Sequence, residues 1–130
     1  MALKITPTQK NTHTVSIALS GQLNSETASV LDQQIQKALV NGANVIVLDM
    51  ADLKMITSAG VGVVMKTQTS MAKRGGEMIM LNMQPQITKV FEIVRLLPTL
   101  TVFENTQEMD NYLVKIQQRI QEDGSFDSGQ

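Results

Sequence analysis

The sequence contains no cysteine, no tryptophan, a single histidine, and only three phenylalanines and one tyrosine. Without cysteine there are no disulfides and no thiolate ligands, so packing alone must hold the core. One histidine and no clustered ligand spacing leave no recognisable metal site. That histidine, His13, sits in a polar N-terminal stretch. A Ser58–His13 nucleophilic pair would need a third orienting group and an oxyanion site, and nothing in the chain supplies them. His13 therefore reads as a solvated loop or edge residue. The expectation is a non-enzyme with no catalytic residue, no metal and no cofactor.

An excess of one charge is missing too. Eleven Lys and Arg stand against twelve Asp and Glu, a formal net charge of −1. The cations are scattered, and without a basic stripe to neutralise phosphates, nucleic acid is not an expected partner. The longest apolar run, Val45-Ile46-Val47-Leu48, is far short of the ~20 residues of a membrane span. Met1 to Pro7 has no apolar stretch of the signal-peptide kind. A soluble, cytoplasmic protein without a membrane partner is expected.

What is present describes one globular domain. The chain has 130 residues, 42% hydrophobic and 18% charged, enough for one core and too short for two ordinary ones. Nine methionines take over packing from the scarce aromatics, and most are expected in the core.

Val15, Ile17 and Leu19 alternate with small polar residues, predicting a half-buried strand ending at Gly21, with Ile5 on an edge hairpin partner. From Asn24 the period becomes helical, with Ala28, Leu31, Ile35, Ala38 and Leu39 on one face and Gly42 closing the helix. Val45 to Leu48 predicts a strand buried on both faces. A second helix carries Val61, Val64, Met65, Gln68, Met71 and Ala72 on one side and stops at Lys73-Arg74-Gly75-Gly76.

Met78 to Leu81 predicts a strand. Pro85 opens a third helix bearing Ile87, Val90, Phe91 and Val94, which Pro98 limits. Leu100 to Phe103 is a short strand. Asn105 with Glu108 forms a capping box for a last helix bearing Met109, Tyr112, Leu113, Ile116 and Ile120. Residues 1–121 make up the domain, and 122–130 are expected to be a disordered tail. The architecture is α/β, a mixed, mostly parallel sheet of four or five strands with about four helices packed against it.

In such sheets function gathers at the carboxyl ends of strands, which points to the loop from Asp49 to Ser58. Thr57 and Ser58 are N-cap residue types, whose hydroxyls can accept bonds from orphan helix amides. Ala59 and Gly60 are small enough for another protein's backbone to approach. Ile56 could staple the helix start or, with Met55, face a partner. Two readings follow. One is a plain cap with tight helix–sheet packing. The other is a phosphate acceptor at Ser58, since a helix N-terminus stabilises anions. Gly60-x-Gly62 is not a phosphate-binding loop of the Walker type, because no Gly-Lys-Ser/Thr follows. Asp49 and Asp52 are carboxylates that strand ends and turns supply routinely.

The same segment resembles the signature of the STAS family, the anti-sigma factor antagonists of bacterial partner-switching systems. The family pattern is an apolar strand ending in Asp, a Leu, an apolar pair, and Asp-Ser-[Ser/Thr/Ala]-Gly-[Leu/Val]-Gly. This chain has Val45 to Asp49, Leu53, Met55-Ile56 and Thr57-Ser58-Ala59-Gly60-Val61-Gly62. Leu19-Ser20-Gly21-Gln22-Leu23-Asn24 is similar to the family's Gly-x-Leu-Asp turn. Arg74-Gly75-Gly76-Glu77 before Met78-Ile79-Met80-Leu81, and Val90-Phe91-Glu92-Ile93 with Leu96, continue the likeness, which covers roughly residues 3 to 120.

The resemblance implies that Ser58 is phosphorylated by a serine kinase of the histidine-kinase-like ATPase fold, with Thr57 as a minor acceptor. The kinase is itself the anti-sigma factor. It binds the unphosphorylated antagonist, and a phosphatase resets the phosphorylated form. The implied partner surface is Gly21, Asn24, Met55, Ile56, Thr57, Ser58, Ala59, Gly60 and Val61. The oligomeric state is left open by the sequence, with a free monomer as the default expectation. Two positions depart from the pattern: Thr57 replaces the acidic residue before the phosphoserine, and Asn24 replaces the Asp of the first turn. These changes keep a second function open, a constitutive scaffold subunit of a transport or signalling assembly with Ser58 only a cap.

Overall fold

Val45, Ile46, Val47 and Leu48 are all buried, because their strand lies at the middle of a sheet covered on both faces. The computed structural model describes residues 3–123, with side chains through residue 116. Its strands are β1 Leu3–Gln9, β2 Thr14–Leu23, β3 Val45–Ile56, β4 Glu77–Leu81 and β5 Thr101–Phe103. They lie side by side in chain order. β1 pairs antiparallel with β2, and every later pairing is parallel. The helices are α1 Ala28–Val40, α2 Ser58–Lys73, α3 Pro85–Ile93 and α4 Thr106–Asp123, with a 3-10 turn at Leu97–Thr99. The expected tail begins inside α4, and from residue 124 on it lies outside the described residues.

Strand alternation sends the two faces to different partners. Ile46, Leu48 and Met50 of β3 join Ile17 and Leu19 of β2 in a core closed by Leu31, Ile35, Val64, Met71, Ile87 and Phe91. Val45, Val47, Ile79 and Leu81 face the other way and pack under Met109, Leu113 and Ile116 of α4. Five of the eight described methionines, Met50, Met71, Met78, Met80 and Met109, are buried, so most of them serve the core.

Three of the helices end in the same way. At each end the second residue past the cap donates back to the third-last helical carbonyl: Ala43 to Ala38 at 3.1 Å, Gly76 to Met71 at 2.7 Å and Leu96 to Phe91 at 2.9 Å. This motif needs a left-handed residue just before that donor. Gly42 and Gly75 supply it after α1 and α2, whereas Arg95 is forced to φ 63° after α3. The helix therefore stops well before Pro98, which lies in the 3-10 turn. Arg95→Gly is expected to raise stability by about 0.5–1 kcal/mol, as read by chemical denaturation, because it removes the Cβ strain.

The start of α4 is capped slightly differently from expectation. The Glu108 amide donates to Asn105 Oδ1 at 2.9 Å, but Glu108 Oε1 accepts from Glu104, one residue before the cap, at 3.3 Å. Tyr112 Oη donates to the Glu77 carboxylate at 2.6 Å, tying α4 to the start of β4. His13 is exposed, and among the described residues it bonds through its backbone alone. Among the described residues no helix is long and apolar enough to cross a membrane.

Candidate functional site

The segment expected as a loop from Asp49 to Ser58 is mostly strand, since β3 runs on to Ile56. It stays paired with β2 by carrying two extra residues. Opposite Ala18 to Ser20 it runs from Asp49 to Asp52, and opposite Gly21 to Gln22 it runs from Leu53 to Met55. A bulge flips side-chain parity, so two of them keep Leu53 and Ile56 inward where plain alternation would turn one of them out. Gly21, at φ 115°, sits at the second irregularity. At the first, the Asp49 carboxylate accepts from the Ala51 amide at 3.1 Å and from Asn82 Nδ2 at 3.3 Å. Asp49 therefore shapes a bulge.

Where β2 and β3 end together, α2 begins. Leu23 pairs with Ile56, and the Thr57 amide donates to the Leu23 carbonyl at 3.0 Å. Thr57 is the N-cap residue, extended at φ −108°, but its side chain makes no capping bond. Its Oγ1 is buried with no hydrogen-bond partner among the described residues. Ser58 cannot cap either, because it is already the first helical residue and capping belongs to the residue before. The expected hydroxyl caps are therefore absent. The first intrahelical bond runs from Val61 to Thr57 O at 3.0 Å, so the amides of Ser58, Ala59 and Gly60 precede it.

The glycines of this turn have opposite surroundings. A Cβ on Gly60 would stand 2.7 Å from Leu23 Cγ and 2.8 Å from Ile56 Cγ1. Gly60 and Ile56 are buried, so they seal the helix onto the sheet and shape the surface from beneath. A Cβ on Gly62 would meet nothing within 4 Å. The outer surface is made by Ser58, Gly62 and Met55, which are exposed, with Thr57, Ala59 and Val61 half-buried beside them. The first turn of α2 contains no acidic residue.

Asn24 lies next to this surface, just past the Leu23–Ile56 pair. Its Oδ1 accepts from the Glu26 and Thr27 amides at 2.9 and 3.1 Å, and Thr27 Oγ1 donates to Gln22 O at 2.9 Å. Asn24 thus makes the neutral version of a turn that an Asp could also make. Sequence reasoning missed Asn82 and Gln84, whose side chains reach β3; both look like ordinary turn residues before Pro85. Clefts of about 160 Å³ beside Lys37 and about 580 Å³ beside Phe103 lie away from Ser58. Ser58, Met55 and Gly62 are exposed to solvent.

The model of the STAS domain matches residues 6–109. The chain belongs to the STAS domain family. It is similar to BtrV of Bordetella bronchiseptica, named as an anti-sigma factor antagonist, at 32% identity over 75 residues, 58% of this chain and 65% of BtrV. The match thus spans just under two thirds of that relative's length. The anti-sigma F factor antagonist of Paenibacillus polymyxa is 24% identical over 90 residues, 68% of this chain and 77% of that one. In fold, this STAS domain is similar to the anti-sigma factor antagonist SpoIIAA in its unphosphorylated form, with TM-score 0.70 and 24% identity, covering 86% of this chain and 98% of that one. The phosphorylated form of SpoIIAA from Bacillus gives TM-score 0.68 at 24% identity, covering 84% and 99%.

Proposed function

We propose that this STAS domain is a phosphorylation-switched antagonist. Unphosphorylated, it binds a cognate anti-sigma factor that is also its serine kinase, of the histidine-kinase-like ATPase fold. Phosphorylation of Ser58 releases it, and a phosphatase restores the bound form. The chain is a binding module and a kinase substrate, with no reaction of its own and no cofactor.

One observation carries this reading: Ser58 presents an exposed hydroxyl on the first residue of α2, beside amides that have no intrahelical partner. A phosphate there adds about −1.5 to −2 charges at the positive end of the helix dipole, with no carboxylate in the turn to repel it. The fold accommodates the modification, while a partner seated on Met55, Ser58 and Gly62 does not. The neighbouring Thr57 hydroxyl has no hydrogen-bond partner among the described residues. That two forms of SpoIIAA, phosphorylated and unphosphorylated, exist on the same fold is consistent with a switch of this kind.

The test is the lifetime of the complex with the cognate kinase. After ATP is added, wild type is expected to leave the kinase as phosphate accumulates, while Ser58→Ala stays bound. Equal retention of both chains would sink the switch. The second reading, a constitutive scaffold, is favoured by Thr57 and Asn24, which leave the turn without its usual acidic residues. It predicts that charge at Ser58 has no effect on assembly.

A further inference from the structure

We propose that Gln84 is a positioning residue for the Met55–Ser58 surface, its side-chain amide standing in for a strand that the end of β3 lacks. The inference rests on the reading of Ser58 as the modified residue. β4 pairs with β3 only from Val45↔Glu77 to Asp49↔Leu81. From Met50 to Ile56 the strand therefore has β2 on one side and no strand on the other. Its register with β2 is interrupted twice in this stretch, so the ladder on that side is less regular than the one before it.

The side of this stretch that faces no strand leaves backbone carbonyls without ladder partners. Gln84 Nε2 donates to two of them, Ala51 O at 2.7 Å and Leu53 O at 2.9 Å. An amide nitrogen carries two hydrogens, which matches two acceptors. The other end of the amide is held as well, because Gln84 Oε1 accepts from Gln86 Nε2 at 3.0 Å, and Gln86 Nε2 reaches Lys54 O at 3.4 Å. Gln84 is the N-cap residue of α3, yet its side chain makes no capping bond. Its amide is engaged on β3 instead. The Asp49–Asn82 contact closes the same edge one step earlier, with Asn82 in the left-handed region at φ 59°.

The clamp thus connects the start of α3 to the strand that delivers Met55 and Ile56 to α2. Without it, the bulged segment can swing away from α3, and Met55 loses its fixed place beside Ser58. A kinase that reads both residues then meets a mobile surface, while the hydroxyl it phosphorylates is chemically unchanged. Recognition weakens and the chemical step does not.

The experiment uses the full chain as substrate of the cognate serine kinase with ATP. It compares wild type with Gln84→Glu, which turns the donor into an acceptor facing two carbonyls, and with Gln84→Met, which removes the donor without charge. Expected is a KM for the protein substrate at least tenfold higher in both variants, with kcat within twofold. Amide exchange over residues 51–57 should rise at least tenfold while β4 and the body of α2 keep their protection, a pattern that general destabilisation does not give. If Gln84→Glu fails to fold, Gln84→Met carries the test. A KM within twofold of wild type overturns this inference alone. A wild type that gains no phosphate removes the Ser58 reading and this inference with it.

Discussion

Gly60→Ala is expected to lower folding stability by about 2 kcal/mol, whereas Gly62→Ala, two residues further along the same helix, should raise it by about 0.5–1 kcal/mol. The contrast follows from what each new methyl meets. At Gly60 it would press on Leu23 and Ile56, at 2.7 and 2.8 Å, so that something must shift, and both side chains are buried. Overpacking of that kind costs about 1–3 kcal/mol or more, and alanine's better helix propensity returns only part of it. At Gly62 the methyl enters open space, so the propensity gain stands alone. In a thermal melt the first variant should fall by roughly 5–10 °C and the second should rise by a few degrees.

Gly62 has a further consequence. Gly42 and Gly75 have positive φ, and Gly60 and Gly76 are hemmed in by neighbouring atoms. Gly62 has neither reason, although glycine costs a helix about 1 kcal/mol relative to alanine. On the proposed function its smallness serves the partner, whose backbone packs against that turn beside Ser58. Gly62→Ala should therefore weaken kinase binding while stabilising the free protein, measured by titration and melting of the same preparation. A gain in stability with undiminished binding would move the docking surface elsewhere.

The other large effect is expected from Ser58→Asp. Charge at the first residue of α2 meets the positive end of the helix dipole, so the free chain should keep its stability or gain about 0.3–1 kcal/mol. On the proposed function the partner covers the same carboxylate in the complex, and an unpaired charge taken out of water carries a penalty of several kcal/mol. Affinity for the kinase should fall about 100-fold, equivalent to about 2.7 kcal/mol. Isothermal titration of wild type, Ser58→Ala and Ser58→Asp separates the two readings: a switch loses only the Asp variant, and a scaffold that uses another face keeps all three.

Much of this fold was legible in the chain because the periodicities were clean. Val45 to Leu48 announced a central strand, the Lys73-Arg74-Gly75-Gly76 stop was where it was expected, and Asn105 caps α4 as expected, with only the reciprocal bond of Glu108 displaced by one residue. The end of β3 was not legible. Met50, Leu53 and Ile56 are its buried positions, a spacing of three that looks like loop or helix. Only the pairing with β2 reveals the two bulges that produce it. The same strand explains the misplaced caps: Thr57 leaves β3 extended, which makes Ser58 the first helical residue instead of a cap. Gln84 was invisible for a different reason, because its role depends on β4 ending before β3 does.

The central claim is that Ser58 receives the phosphate. Intact-mass analysis of the full chain after incubation with the cognate kinase and ATP tests it most directly. Wild type should gain the mass of one phosphoryl group and Ser58→Ala should gain none. A wild type that stays unmodified, or a Ser58→Ala chain modified to the same extent, would contradict it.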